Sequence, residues 1–225
     1  MKIKHSVIAA LICSASVGVT AQTLTEWRDS LARLNDSIRM YPSSTDFRLK
    51  KAAVNIELEQ WSYAVDEYSR VLQLDPKNLA AYYYRAYANS LMRRYDLAKV
   101  DYESFLSLVP KHFEAQLGLA VVKRKLGRQL DAMDELNRLV QLFPDSALAY
   151  AARAGYEAEL QKYELALYDW EEALRRNPQN VEFGVSKLDV LIALKRYDEA
   201  WQAIEQLQKN GVPRAALKEW IDKCK

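Results

Sequence analysis

The chain has 225 residues, of which 50% are apolar and 28% are charged, a balance typical of an ordered, soluble protein. Its formal net charge is +2, and setting aside Lys2 and Lys4, which fall in a predicted leader, leaves 30 basic and 30 acidic residues. This charge balance argues against a nucleic-acid partner, because proteins that bind nucleic acids usually have a basic surface. Histidine occurs only at His5 and His112, so we expect neither a histidine-based metal cluster nor a catalytic triad.

Residues 1–21 have the pattern of a secretory signal peptide. A basic start is followed by an apolar run too short to span a bilayer, and small residues at 19–21 fit a signal peptidase site. We therefore expect an exported protein that begins at Gln22, most simply in a bacterial periplasm. Secretion, a buried N-terminal helix and a lipid anchor on Cys13 are the alternatives, although Ile12 is bulkier than the residue a lipoprotein signal has there.

The other cysteine, Cys224, has no partner in the mature chain, so we expect no internal disulfide and an idle thiol; an intermolecular disulfide is the alternative. No stretch after the leader is long and apolar enough to cross a membrane.

Residues 22–42 are predicted to form an N-terminal capping helix. Its apolar residues recur at helical spacing and are Trp27, Leu31, Leu34 and Ile38.

Residues 45–214 repeat with a period of 34. Prolines recur at this spacing at Pro42, Pro76, Pro110, Pro144 and Pro178, and alanines recur at Ala64, Ala98, Ala132, Ala166 and Ala200. Each period holds two amphipathic helices joined by a polar turn, and the proline ends the second helix because it cannot continue one. Such a period is typical of a stacked helical array. The predicted repeats span residues 45–78, 79–112, 113–146, 147–180 and 181–214.

The second repeat shows the residue pattern most fully, with Tyr82, Ala86, Ala98, Tyr102, Phe105 and Pro110. This pattern resembles the tetratricopeptide repeat (TPR) family, whose repeat has the same period. The resemblance implies an all-α, right-handed solenoid of helix-turn-helix repeats between terminal capping helices. Small residues lie where helices cross, and aromatic residues fill the gaps between repeats.

The fifth repeat departs from the pattern. Gly184 stands where the aromatic residue belongs, with Phe183 beside it as a possible substitute, and Leu188 replaces the small residue at the helix crossing. Terminal repeats are often atypical because one of their faces meets no neighbour. Residues 215–225 are predicted to form a C-terminal capping helix.

The TPR resemblance also implies a concave groove lined by the first helix of each repeat. Read onto this chain, the groove residues are Leu49, Ala53, Tyr83, Tyr87, Leu117, Val121, Arg124, Ala151 and Gly155. Tyr83 and Tyr87 are expected either to bind a partner or to fill space between repeats, whereas Tyr82 and Tyr84 are expected to fill space. Gly155 leaves room either for a ligand or for a neighbouring helix.

No sequence motif for catalysis is present, and no cofactor is implied. The carboxylate pairs Asp134-Glu135 and Glu171-Glu172 are expected to face solvent. One known use of the family is a basic clamp for a chaperone's terminal carboxylate. The clamp positions here hold none of the required residues, being Leu49, Ala53, Tyr84, Glu114 and Gly118.

These patterns predict a non-catalytic scaffold in the cell envelope, monomeric or part of a hetero-complex, that binds a peptide or helix of a protein partner in its groove. One alternative is an assembly subunit that docks through its convex face or its ends. An enzyme or a carbohydrate-binding protein is a further alternative. Fold alone does not choose among them.

Overall fold

The computed structural model describes residues 24–224 of the chain, and every regular element among them is helical. The predicted leader and Cys13 lie outside the described residues. The helices are α1 (Leu24–Met40), α2 (Thr45–Glu57), α3 (Trp61–Leu74), α4 (Leu79–Leu91), α5 (Tyr95–Leu108), α6 (Phe113–Lys125), α7 (Gln129–Leu142), α8 (Ala147–Glu159), α9 (Tyr163–Arg176), α10 (Val181–Ala193), α11 (Tyr197–Lys209) and α12 (Lys218–Lys223). No helix in this part of the chain combines the length and apolarity needed to cross a membrane.

The predicted fold class, an all-α solenoid of TPR type, is confirmed. Each predicted repeat window holds two helices joined by a short turn, and the helix predicted ahead of the first window is α1. The described residues form two compact units, 24–135 and 136–224, which we call the N-terminal unit and the C-terminal unit.

The first helix of every repeat begins with the same kind of cap. The capping side chain accepts a hydrogen bond from the backbone N–H three residues later, which satisfies a donor that the helix itself leaves unpaired. One cap directly precedes each repeat, and the caps are Ser44, Asn78, His112, Ser146 and Asn180. His112 plays this part through Nδ1, which accepts from the N–H of Ala115 at 3.3 Å.

The turn inside each repeat contains one residue in the left-handed region of backbone space. These residues have φ between 56° and 74° and are Glu59, Arg93, Gly127, Gln161 and Lys195. Only Gly127 adopts that conformation without a steric cost from a Cβ atom. The following N–H bonds back to the first helix, as from Arg94 to Asn89 O over 2.8 Å. The turn geometry is therefore kept even where the sequence lacks glycine.

The small residues predicted at the helix crossings are completely buried. Ala64 and Ala98 in the N-terminal unit are 0% exposed, as are Ala166 and Ala200 in the C-terminal unit. Large side chains fill the space around them, with Tyr68 and Tyr102 buried in the first unit. Trp170 fills the corresponding space in the second unit. Close approach of the backbones at alanine and dense packing beside it give each unit a core that a single hairpin could not form alone.

In repeat 5, Phe183 takes the place of the aromatic residue that is missing at Gly184. Phe183 is 2% exposed and packs against Trp170, with ring centroids 5.9 Å apart. Gly184 lies under Leu207, so closely that a Cβ atom would come within 2.7 Å of the leucine Cδ2. The Leu207 side chain therefore fills the space that the glycine leaves, and the predicted substitution of Phe183 for the aromatic residue is confirmed.

The C-terminal cap is shorter than a single helix over 215–225. A 3₁₀ turn (Arg214–Leu217) precedes α12, because Pro213 holds an extended backbone conformation and the chain must bend before it can become helical. Leu217 and Ile221 are buried in the core of the C-terminal unit. The indole Nε1 of Trp220 also donates to Asp189 Oδ1 at 2.7 Å, which ties the cap to α10.

Candidate partner-binding face

The N-terminal unit presents one surface built from first helices only. In this unit α2 contacts α4, and α4 contacts α6, so the three helices lie side by side. Their fifth and ninth repeat positions are one helical turn apart and therefore share one side of each helix. All are apolar or aromatic, and all remain exposed or half-buried. We call this surface the first-helix face; its residues are Leu49, Ala53, Tyr83, Tyr87, Leu117 and Val121.

Tyr83 belongs partly to the packing between helices and partly to this face. Its ring lies 5.7 Å from the ring of Phe105 and 5.6 Å from that of His112, and it meets Tyr84 edge-on at 5.1 Å. Burial, aided by the nearby charge of Glu114, raises the pKa of Tyr83 to about 12, so the phenol stays neutral. The side chain is half-buried, so part of it stays accessible at the surface.

The neighbouring tyrosines contact the preceding repeat. Tyr82 donates from its hydroxyl group to Pro76 O at 3.1 Å, in the preceding turn. Tyr84 stacks on Tyr68 of the preceding repeat, with ring centroids 6.1 Å apart, although it remains 46% exposed. These contacts position α4 and thereby fix where Tyr83 and Tyr87 stand.

Gly118 shows why a basic clamp for a terminal carboxylate does not form here. A Cβ atom on Gly118 would lie 2.6 Å from Tyr102 Cζ, so the space that a longer side chain needs is already filled. Glu114 occupies another clamp position with a negative charge. Both observations agree with the absence of the clamp pattern in the sequence.

Two predicted groove residues belong to the C-terminal unit. Ala151 is 2% exposed and is part of the core, so it offers no contact surface of its own. Gly155 is half-buried, and a Cβ atom added there would meet nothing within 4 Å. No neighbouring helix therefore requires the glycine, so that interpretation of Gly155 is wrong, and room for a ligand stays a prediction.

Sequence reasoning missed a repeating ion pair between the two helices of a repeat. Arg85 donates to both carboxylate oxygens of Asp101, and Arg153 does the same to Asp169 two repeats later. Lys51 and Glu67 occupy the same repeat positions and lie 2.9 Å apart. The signal was present in the sequence, as a basic residue at the seventh position of a repeat followed by an acidic residue at the twenty-third.

The prediction that two carboxylate pairs face solvent is wrong for one member of each pair. Glu135 is half-buried, accepts a short hydrogen bond from Gln116 and pairs with Lys123 at 2.6 Å. Glu172 is 6% exposed and pairs with Arg176 at 2.7 Å. Asp134 and Glu171 are more accessible than their neighbours. A helix turns by about 100° per residue, so adjacent residues need not share an environment.

Glu157 is a carboxylate that the packing of the C-terminal unit buries without a full set of partners. It is 6% exposed, and its Oε2 atom finds no hydrogen-bond partner. Burial and then the neighbouring Asp169 raise the pKa of Glu157 to about 7, against the opposing charge of Arg153. A raised pKa can mark a catalytic acid, but only beside a place for a substrate.

Two shallow cavities lie elsewhere among the described residues, and neither contains Glu157. One, of about 320 Å³, lies among α1, α2 and α3, and the other, of about 260 Å³, lies among α9, α10 and α11. No group of three or more histidine, cysteine, aspartate or glutamate side chains between residues 24 and 224 is placed to hold a metal ion. Of these features, the first-helix face is the one that joins accessible apolar and aromatic side chains of successive helices, so it is the candidate site.

Comparison with known proteins relates this architecture to repeat proteins of varied function. Anaphase-promoting complex subunit 3 of Schizosaccharomyces pombe is 25% identical over 147 residues, or 65% of this chain and 22% of that protein. Small glutamine-rich tetratricopeptide repeat-containing protein 2 of Saccharomyces cerevisiae is 29% identical over 117 residues, or 52% of this chain and 33% of that protein. The chain thus spans a third or less of the length of these two relatives.

Solved structures of similar fold include YrrB, described as a TPR protein with an unusual peptide-binding site. It matches with a TM-score of 0.61 and 17% identity, covering 79% of this chain and 91% of YrrB. PilF of Pseudomonas aeruginosa matches with a TM-score of 0.65 and 16% identity, covering 82% of this chain and 84% of PilF. Identities this low establish the fold only.

The family model for the tetratricopeptide repeat matches residues 92–147 and 152–215. These two stretches make up more than half of the chain, and they include helices of both units. Together with the helix pairs, the buried crossing alanines and the regular period of the sequence, the match shows that the chain belongs to the tetratricopeptide repeat family.

Proposed function

We propose that this protein is a non-catalytic scaffold that binds an extended peptide or a helix of a protein partner on the first-helix face. One observation carries the proposal. Positions 5 and 9 of α2, α4 and α6 hold six apolar or aromatic side chains that stay accessible, while the crossing alanines beside them are fully buried. A contiguous apolar surface without a packing partner is typical of a protein-binding site.

The chemistry of the face suits a peptide ligand. Tyr83 and Tyr87 provide flat aromatic area with hydroxyl groups, and Leu117 and Val121 provide aliphatic surface beside them. Tyrosine contributes large contact area at a small cost in side-chain entropy, which is why it is enriched where proteins bind one another. The family is one of protein-interaction modules, and YrrB, similar in fold, has a peptide-binding site, which supports the same assignment.

We also propose that the protein acts in the cell envelope after export, most simply in a periplasm, alone or within a hetero-complex. This part of the proposal depends on the signal-peptide pattern of residues 1–21. Fractionation of cells that express the full chain tests it. Recovery in the periplasmic fraction with Gln22 as the N-terminal residue supports export, and recovery of a full-length chain in the cytoplasm contradicts it.

The binding face is tested by a pair of double variants that add the same charge on two different surfaces. Ala53→Glu with Val121→Glu places two carboxylates on the first-helix face. Leu97→Glu with Val100→Glu places two on the outer side of α5, where both residues are more than half exposed. Crosslinking capture from the native cell envelope should lose its partner with the first pair and keep it with the second. Equal capture by the first pair and the wild type would exclude the face.

A second candidate function is docking through the outer side of the second helices. The observation in its favour is that Leu97 and Val100 on α5 are 54% and 56% exposed. In the C-terminal unit, Leu165 and Tyr168 on α9 are 55% and 59% exposed at the same repeat positions. The same experiment separates the two functions, because an assembly subunit would lose its partner with the α5 pair and retain it with the first-helix pair.

A further inference from the structure

Two of the three turns inside the repeats of the N-terminal unit are basic and lie beside the first-helix face; the third, between α2 and α3, carries Glu57 and Glu59. The α4–α5 turn and the α6–α7 turn lie one repeat apart and share one backbone geometry, with positive φ at Arg93 and Gly127. Because α4 and α6 lie side by side in successive repeats, both turns fall on the same side of the unit. We call this side the turn edge; its basic residues are Arg93, Arg94, Lys125 and Arg128.

The cations of the turn edge are exposed and mostly unpaired. Arg93, Arg94 and Lys125 have no ion pair or side-chain hydrogen bond within the described residues. Arg128 lies 3.9 Å from Asp131, at the limit of an ion pair, and both side chains are about half exposed. Asp96 and Asp131 are the carboxylates nearest in sequence, so these two turns carry a positive excess, whereas the neighbouring α2–α3 turn, with exposed Glu57 and Glu59, is acidic.

Several cations on the first helices of this unit are, in contrast, neutralised by carboxylates. Arg48 and Lys51 both pair with Glu67 at 2.9 Å, and Arg85 pairs with Asp101. A helix C-terminus does favour basic residues, which accounts for Lys125 in the last turn of α6. It does not account for Arg93 and Arg94, which follow the C-cap Met92 and lie outside α4.

The edge adjoins the first-helix face through α6. Arg124, at the twelfth position of repeat 3, comes shortly after Val121 of the face and directly before Lys125 of the edge. A segment held on the apolar face would therefore place its flanking residues next to exposed cations. Complementary charge across such a boundary raises the rate of encounter and fixes the direction in which the segment is bound.

We infer that the partner segment carries aspartate or glutamate side chains that meet the turn edge beside its apolar residues. This inference rests on the proposed function and names the chemistry of the partner. A chain-terminal carboxylate is not the ligand that this edge fits, because it would need convergent donors at one point. The cations instead lie on two successive turns, and the family's clamp positions hold Leu49, Glu114 and Gly118 among others.

Peptide display on the purified mature protein tests the inference while the partner is still unidentified. A random library of 16-residue peptides is selected on the wild type and on Arg93→Glu/Arg94→Glu/Lys125→Glu. A matched control, Arg33→Glu/Arg70→Glu/Lys77→Glu, changes the net charge equally at exposed residues elsewhere in the same unit. Glutamate is tolerated at the turn position, since Glu59 occupies it in repeat 1. Circular dichroism confirms that each variant is folded.

We expect wild-type selections to enrich acidic residues beside apolar ones. Selected peptides should bind the turn-edge variant about 10-fold or more weakly and the control variant within about 2-fold of the wild type. Added salt should weaken wild-type binding, because exposed charges are screened. Peptides that are apolar but not acidic, or that lose equal affinity in both variants, would overturn the inference and leave the proposed function standing. No enriched peptide at all would overturn both.

Discussion

The guanidinium group of Arg85 donates two hydrogen bonds to the carboxylate of Asp101, at 2.9 Å from Nε and 2.6 Å from Nη2. It donates a third to the hydroxyl group of Ser69 in the preceding repeat, at 3.0 Å. Arg153 repeats all three contacts with Asp169 and Asn137. One side chain thus joins the two helices of its own repeat to the repeat before it. Fork-shaped pairs of this kind are geometrically specific.

Removing Asp101 should therefore destabilise the N-terminal unit. Its side chain is 4% exposed, so Asp101→Ala leaves Arg85 without its main partner in a half-buried place. We expect a loss of about 2–3 kcal/mol in the free energy of unfolding, measured by urea titration. Asp96→Ala, an exposed carboxylate on the same helix, is the control and should change it by less than about 0.5 kcal/mol. Equal effects of the two substitutions would show that the ion pair is unimportant.

Glycine should be preferred where the turns have positive φ. Glu59→Gly relieves a left-handed conformation at φ 56°, and after the entropy cost of glycine the expected gain is about 0.5–1 kcal/mol. Gln60→Gly changes the next residue, whose φ of −88° is ordinary, and should give no gain. Thermal melts of both variants test the difference. A stabilised Gln60→Gly with an unchanged Glu59→Gly would contradict the backbone explanation.

Three helical glycines should respond differently to the same added methyl group. Gly155→Ala fills open space and should stabilise the chain by about 0.5–1 kcal/mol, because alanine is the better helix former. Gly118→Ala and Gly184→Ala place Cβ at 2.6 Å from Tyr102 Cζ and 2.7 Å from Leu207 Cδ2, so each should cost about 1–3 kcal/mol. Denaturant midpoints measure all three. A destabilised Gly155→Ala would show that the space at Gly155 is not open.

The buried carboxyl of Glu157 should make stability fall as pH rises. Its folded pKa of about 7 lies above the ordinary 4.5, so the unfolded chain loses its proton first as the pH passes 4.5. The folded state is then penalised progressively until pH 7, by about 2–3 kcal/mol in total. Below pH 4.5 both states are protonated, and the penalty disappears.

Glu157→Gln removes this titration, so its stability relative to the wild type should increase between pH 5 and pH 8. Unfolding free energies at several pH values measure the change. Glu159→Gln, at an exposed neighbour on the same helix, is the matched control for the loss of one carboxylate. A pH-independent difference between Glu157→Gln and the wild type would mean that the buried carboxyl keeps an ordinary pKa.

Much of the architecture was predictable because the 34-residue period is formed by residue types that suit only a few structural positions. Proline at the end of each second helix and alanine at each crossing admit few alternatives, and both occur in register. The caps directly before each repeat and the ion pairs of Arg85 and Arg153 follow the same register. They are harder to predict because their residue types vary from repeat to repeat, as Asn78 and His112 do.

The candidate face was less predictable, since accessibility depends on packing between repeats. The family pattern places Tyr83 and Ala151 at equivalent positions, yet Tyr83 is only half-buried and Ala151 is 2% exposed. Glu135 and Glu172 are drawn inward by cations elsewhere in the sequence, at Lys123 and Arg176. The burial of each side chain depends on the residues that pack against it in the folded chain, and a single sequence pattern does not specify these residues.

The most direct test of the proposed binding face is photocrosslinking from inside it. Benzoylphenylalanine placed at Tyr87 keeps the first ring of the side chain and adds a reactive ketone on the first-helix face, and the same residue at Val100 reports on the outer side of α5. Irradiation of cells that express the full chain should yield one dominant partner adduct from position 87 and none from position 100. An adduct from position 100 alone would contradict the account and identify the second helices as the binding surface.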